Sequence, residues 1–76
     1  MNEQSYATSD LYLASYLKAR GLPLRDTQRE GRRAVFVFTD RGDRLDLVRE
    51  FYNDGTVHVN AFVHAMQDLK GVVFNW

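Results

Sequence analysis

The sequence predicts an α+β domain, with helices packed on one small antiparallel sheet in the order helix, β-hairpin, helix, helix (α-β-β-α-α), and three observations predict it. Residues Ala34, Val35, Phe36, Val37 and Phe38 form a run that is apolar on both faces of any strand it adopts. Three other stretches repeat apolar residues at helical spacing, each with a capping residue before it and a glycine after it. A more polar extended segment ends at Glu30-Gly31, a turn that would join it to the apolar run as a hairpin. A chain of 76 residues has room for one such domain, spanning 1–76.

The elements follow in order. Met1 to Ala7 is polar apart from Tyr6 and has no periodicity, so residues 1–7 are expected to be a loose N-terminal arm. Thr8, Ser9 and Asp10 offer N-cap oxygens, and Leu13, Tyr16 and Leu17 then recur at helical spacing, which predicts a helix over 9–20. Gly21 stops it, Lys18 and Arg20 suit the negative end of its dipole, and Pro23 prevents its resumption. Leu22 to Arg29 has the polarity of an edge strand, and Arg33 to Thr39 is the second strand, which carries most of the core. A lone hairpin is marginal in water, so the helices must cover it.

Asp40 is expected to cap a second helix, with Asp43 giving an acidic first turn. Leu45, Val48 and Tyr52 form its apolar stripe, widened by Leu47 and Phe51, and Asn53-Asp54-Gly55 ends it. Thr56 to Val59 alternates polar and apolar residues but is too short to separate a third strand from an extended connector. Asn60 is expected to cap a third helix whose stripe is Phe62, Val63, Met66 and Leu69, with Gly71 as a break. The tail Val72 to Trp76 either continues that helix through Gly71 or adds an extended segment to a sheet edge.

The stretches Ser9 to Gly21, Phe36 to Phe38, Phe51 to Gly55 and Val59 to Lys70 together resemble a small uncharacterised domain family of bacterial and phage genomes. The resemblance covers most of the chain. Its matching positions are core and boundary residues, so it implies a fold and a provenance and carries no catalytic residue across.

Composition narrows the function classes. The chain has no cysteine, which removes disulfides and thiolate metal sites and points weakly to a reducing compartment. No basic segment leads into an apolar one at the N-terminus, and no apolar stretch approaches the ~20 residues of a membrane span, so a soluble, cytoplasmic protein is expected. Formal net charge is zero, but Lys18, Arg20, Arg25, Arg29, Arg32 and Arg33 face only Asp26 and Glu30 within residues 18–33, a local excess of positive charge.

Catalytic patterns are not found. His58 and His64 are six residues apart across a helix start, a spacing that does not place two imidazoles on one helical face, so no metal site is expected. Ser5, Ser9 and Ser15 lie outside any Gly-x-Ser-x-Gly turn. Asp40, Asp43, Asp46 and Glu50 are interleaved with Arg41, Arg44 and Arg49, the mixed pattern of a solvated face. The glycines are scattered at element boundaries, which excludes a phosphate-cradling loop, and Arg41-Gly42-Asp43 is read as a chance match to an adhesion tripeptide. The expectation is a chain without enzymatic activity, cofactor, metal or membrane contact.

Binding is what remains. With helices on one side of the sheet, Val35 and Val37 lack obvious cover, and the tail ends in Phe74 and Trp76, the latter a residue type enriched in interface hot spots. Val35, Val37, Phe74 and Trp76 are therefore the candidate partner-binding residues of a small interaction module, a bacterial or phage accessory protein that binds another protein or itself. The alternative is an accessory nucleic-acid binder using the basic hairpin residues Arg25, Arg29, Arg32 and Arg33. Two features count against it: Arg33 stands where the RNA-recognition strand signature has Gly, and alternation sends Phe36 and Phe38 to one side, whose simplest use is packing under helices.

Overall fold

A computed structural model describes residues 4–74 of the chain, with six elements among them: strand β1 (Ser5–Thr8), helix α1 (Leu11–Ala19), strands β2 (Leu24–Glu30) and β3 (Arg33–Thr39), and helices α2 (Arg44–Tyr52) and α3 (Val59–Phe74). The α+β class and the predicted hairpin and helices are present. Asp10 is the N-cap of α1, its carboxylate accepting from the backbone N–H groups of Tyr12 (2.9 Å) and Leu13 (3.2 Å). Gly21 leaves the helix at φ +95°, a conformation that favours glycine. Gly31 turns the hairpin at φ +64°.

The loose arm expected over residues 1–7 is corrected by β1 where it is described; residues 1–3 lie outside the described residues. Ser5–Thr8 pairs antiparallel with β3, so β3 is central in the order β1-β3-β2. Two contacts fix this short edge. The Asp40 N–H donates to the Gln4 carbonyl (2.9 Å), and the Arg44 guanidinium lies 4.4 Å from the centre of the Tyr6 ring. The polarity of the segment reflects its place at a sheet edge, where only Tyr6 and Thr8 turn toward the helices and the other two side chains face solvent.

Helix starts also shift. The N-cap of α2 is Asp43 rather than Asp40, and neither carboxylate caps it, because each is held by an arginine. Asp40 accepts from Nε and Nη2 of Arg44 (3.1 and 3.3 Å), and Asp43 accepts from Nε and Nη2 of Arg41 (3.0 and 2.8 Å). Leu47 is the residue of α2 that is buried, while Leu45 and Tyr52 of the expected stripe are exposed, because the helix seats on its 47–51 face. At α3 the Phe62 N–H donates to the His58 carbonyl (3.0 Å), so Asn60 lies inside the helix instead of capping it. Thr56 to His58 is a connector, and α3 runs through Gly71 to Phe74.

All three helices pack on one side. Leu13, Ala14 and Leu17 of α1, Leu47 of α2 and Leu69 of α3 form one buried cluster with Leu22, Phe36 and Phe38. Phe36 and Phe38 are 2 % and 0 % exposed. At 25 cal/mol per Å², complete burial of such a side chain contributes about 2–3 kcal/mol before entropy is counted. Ser15, buried between helices, satisfies its hydroxyl by donating to the Leu11 carbonyl at 2.7 Å. The thinnest dimension, 17 Å, is that of one sheet under one helical layer.

Candidate interaction face

Alternation along β3 defines two sides of the sheet, and strand register extends them to its neighbours. Ser5 pairs with Thr39, Ala7 and Asp26 with Val37, Gln28 with Val35, and Glu30 with Arg33, so these residues share the side opposite the helices. On β2 this depends on a bulge. Leu24 pairs with Phe38 on the helix side, yet Asp26, two residues on, faces the other way, because Arg25 is the extra residue between them. Ser5, Arg25, Asp26, Gln28 and Val37 line a shallow depression of about 360 Å³ that crosses all three strands.

Val35 and Val37 therefore lie on the uncovered face, but they differ in what they present. Val35 is only 8 % exposed although none of the described helices packs on its side, whereas Val37 is half-buried and lines the depression. Trp76 lies outside the described residues. Phe74 closes the α3 backbone, and its side chain lies outside them too. Ala7, Asp26 and Gln28 complete the face around Val37; sequence reasoning missed them, since β1 was not anticipated and a bulge leaves no mark on composition. Exposed apolar residues also occur on the helical layer: Val59 and Val63 are neighbours at i, i+4 on α3, and Val63 was expected in the core stripe. The apolar arc of α3 is wider than its contact with α1 and the sheet.

The four hairpin arginines are all exposed but do not converge. Arg33 is on the open side, 3.4 Å from Glu30. Arg29 pairs with Ala34 on the helix side, its Nε donating to the Gly31 carbonyl at 3.1 Å, while Arg32 lies in the turn and Arg25 at the bulge beside Asp26. Lys18 and Arg20 point to Asp68 (3.8 Å) and Glu50 (2.9 Å) on the helical layer. The positive stretch of sequence is thus dispersed, with Lys18, Arg20 and Arg33 each beside a different carboxylate. Among the described residues, no strand position on the open face is aromatic, so it offers no stacking platform for bases.

The acidic cluster of α2 is likewise a set of ion pairs. Arg41 beside Asp43 holds that carboxyl below its ordinary range, chiefly through their hydrogen bonds, and Arg41 also donates to the Gly21 carbonyl (3.1 Å), tying α1 to the start of α2. The side chains of the Arg41-Gly42-Asp43 tripeptide are thereby engaged with each other. Arg20 is raised above its ordinary value, foremost by its hydrogen bond to Glu50, and its Nη1 also reaches the Tyr16 hydroxyl (2.7 Å) and the Thr56 carbonyl (3.1 Å). These side chains bridge α1, α2 and the connector to α3. A cleft of about 470 Å³ beside them is lined by Ala19, Arg20, Thr56, Val57 and His58, and among the described residues it brings His58 to no second imidazole or carboxylate pair. Among the described residues no three His, Cys, Asp or Glu side chains are grouped as metal ligands would be, and no helix is long and apolar enough to cross a membrane.

A family model described as a domain of unknown function (DUF5659) matches residues 3–75. No curated protein and no solved structure matches the chain.

Proposed function

This chain belongs to that domain family, and from this premise we propose that it is a non-enzymatic interaction module that binds another protein on the uncovered face of its sheet. The observation that carries the reading is the one-sided packing: three helices cover Phe36 and Phe38, and among the described residues the side bearing Val37 has no layer of its own. The partner it suits presents a small apolar centre ringed by both signs of charge, complementary to Val37 and Ala7 among Arg25, Asp26, Glu30 and Arg33. The edge of β2 supports a different protein over a second copy, because its bulge and its charges at Arg25, Asp26, Arg29 and Glu30 oppose edge-to-edge pairing. The bacterial or phage setting and the cytoplasmic address rest on the family resemblance and on composition.

Capture from the native host with three baits tests the reading: the wild type, Val37→Lys on the open face, and Asp46→Lys on the helical layer. A partner retained by the wild type and Asp46→Lys but lost by Val37→Lys, with circular dichroism unchanged, is the expected result. A partner retained by all three removes the open face from the reading. Light scattering that shows a concentration-dependent dimer replaces the partner with a second copy, and oligonucleotide binding with a negative log-log salt slope replaces it with nucleic acid.

A further inference from the structure

The two edges of the sheet are not alike. β2 carries a bulge and the charges of Arg25, Asp26, Arg29 and Glu30, whereas β1 has neither a charge nor a proline, and its register with β3 runs without a bulge. Its shortness is the one guard it has. The direction of its free groups follows from two hydrogen bonds at the end of β3. The Thr39 N–H donates to the Pro23 carbonyl on the β2 side, and the Asp40 N–H donates to the Gln4 carbonyl on the β1 side (both 2.9 Å). Along an antiparallel ladder this alternation continues, so Tyr6 and Thr8 bond to Phe38 and Phe36. Ser5 and Ala7 turn the other way. Each directs its N–H and C=O out of the sheet edge, where among the described residues no strand pairs with them, and both residues are exposed.

We propose that an extended segment of the protein partner adds to this edge as a fourth strand, bonded through the N–H and C=O groups of Ser5 and Ala7. The proposal rests on the reading of the domain as a protein-binding module and names how the partner is held. The chemistry of the segment follows from what stands beside it. Ser5 and Ala7 put small side chains on the open face next to Val37 and the depression, so a residue opposite them has room to lean across Ala7 toward Val37. The segment therefore carries aromatic or long apolar side chains at alternate positions. A second copy suits the edge less well, because β1 against β1 sets the small side chains of Ser5 and Ala7 against each other and nothing reaches the depression.

The probe is a synthetic peptide blocked at both ends, Lys-Thr-Tyr-Thr-Tyr-Thr-Lys, titrated into the isotope-labelled intact chain. Hydrogen exchange and nuclear Overhauser contacts read the site. The expected result is exchange at the Ser5 and Ala7 amides slowed severalfold by the peptide, with contacts from its Tyr rings to the Ala7 and Val37 methyl groups. Ala7→Pro removes one outward N–H and no ladder bond, a change an edge strand tolerates, and should weaken binding about tenfold with the contacts between β1 and β3 intact. The wild-type exchange pattern decides even where proline loosens β1. Binding lost in Val37→Lys but not in Ala7→Pro overturns the edge and keeps the open face. Binding lost in Ala7→Pro but not in Val37→Lys keeps the edge and removes the open face from the reading. Amides of Ser5 and Ala7 left unprotected by the peptide, protection gained along β2 instead, or protection that rises with protein concentration alone overturns the proposal.

Discussion

The hydroxyl of Tyr16 lies closer than van der Waals contact to the point a Cβ on residue 55 would occupy, and the Glu50 carbonyl oxygen lies 2.6 Å from the same point. Gly55 passes there because the end of α2 folds back on itself. Its N–H donates to the Glu50 carbonyl at 2.6 Å, following Asp54 at φ +61°. The Tyr16 hydroxyl in turn donates to the Thr56 carbonyl (3.3 Å). A side chain at residue 55 would have to displace backbone as well as a ring, so Gly55→Ala is expected to destabilise by about 1–3 kcal/mol. Urea unfolding of Gly55→Ala and of Gly55→Ala with Tyr16→Phe checks it: the second change gives partial rescue, since the carbonyl obstacle remains.

The Arg41–Asp43 pair predicts an acid limb. A carboxyl whose folded pKa is depressed stabilises the fold above its unfolded pKa, and that contribution is lost as pH falls through the depressed folded value. The stability difference between wild type and Asp43→Asn should therefore be largest near neutrality and close as pH drops below the ordinary carboxylate range. A difference that stays constant into strong acid would show that the pair does not set it.

Tyr6 anchors β1 under Arg44, so Tyr6→Ala should release the first strand without unfolding the rest. The lost cation–π contact and ring packing amount to about 1–2 kcal/mol. Hydrogen exchange is the measurement. The backbone groups of Phe36 to Thr39 that face β1 should lose protection, while those bonded to β2 keep theirs.

Side assignment along β3 can be read from two neighbours. Phe38→Ala removes a fully buried ring and is expected to cost about 3–5 kcal/mol. Val37→Thr, one residue away but on the open face, should stay within about 0.5 kcal/mol. Equal costs in thermal or urea melts would mean that the open face is covered.

The parts legible in the sequence were those decided by periodicity and local caps. Arg33–Thr39 was bounded correctly because its apolar run is flanked by charge, while α1, expected over 9–20, runs Leu11–Ala19, its start two residues later because Asp10 is the N-cap. What could not be read depended on distant partners. Nothing local marks Ser5–Thr8 as a strand, since its stability comes from β3 and from Arg44, which stands 38 residues after Tyr6. Asp40 has the chemistry of a cap and was displaced from that role by Arg44, while the exposure of Val63 follows from how α3 seats, a tertiary matter. Of the candidate site, the sides of Val35 and Val37 followed from alternation alone, but the near-complete burial of Val35 did not.

The extra residue at Arg25 acts on the parity of β2. Strand side chains alternate strictly, so with Arg25 paired in a regular ladder Leu24 and Asp26 would point the same way: either a carboxylate enters the layer beside Phe38, or a leucine leaves it. Deleting Arg25 would make Leu24 and Asp26 consecutive opposite Phe38 and Val37, so plain alternation would keep the leucine under the helices and the carboxylate outside. What the edge would lose is its bulge, and with it one of the features that discourage another strand from pairing there.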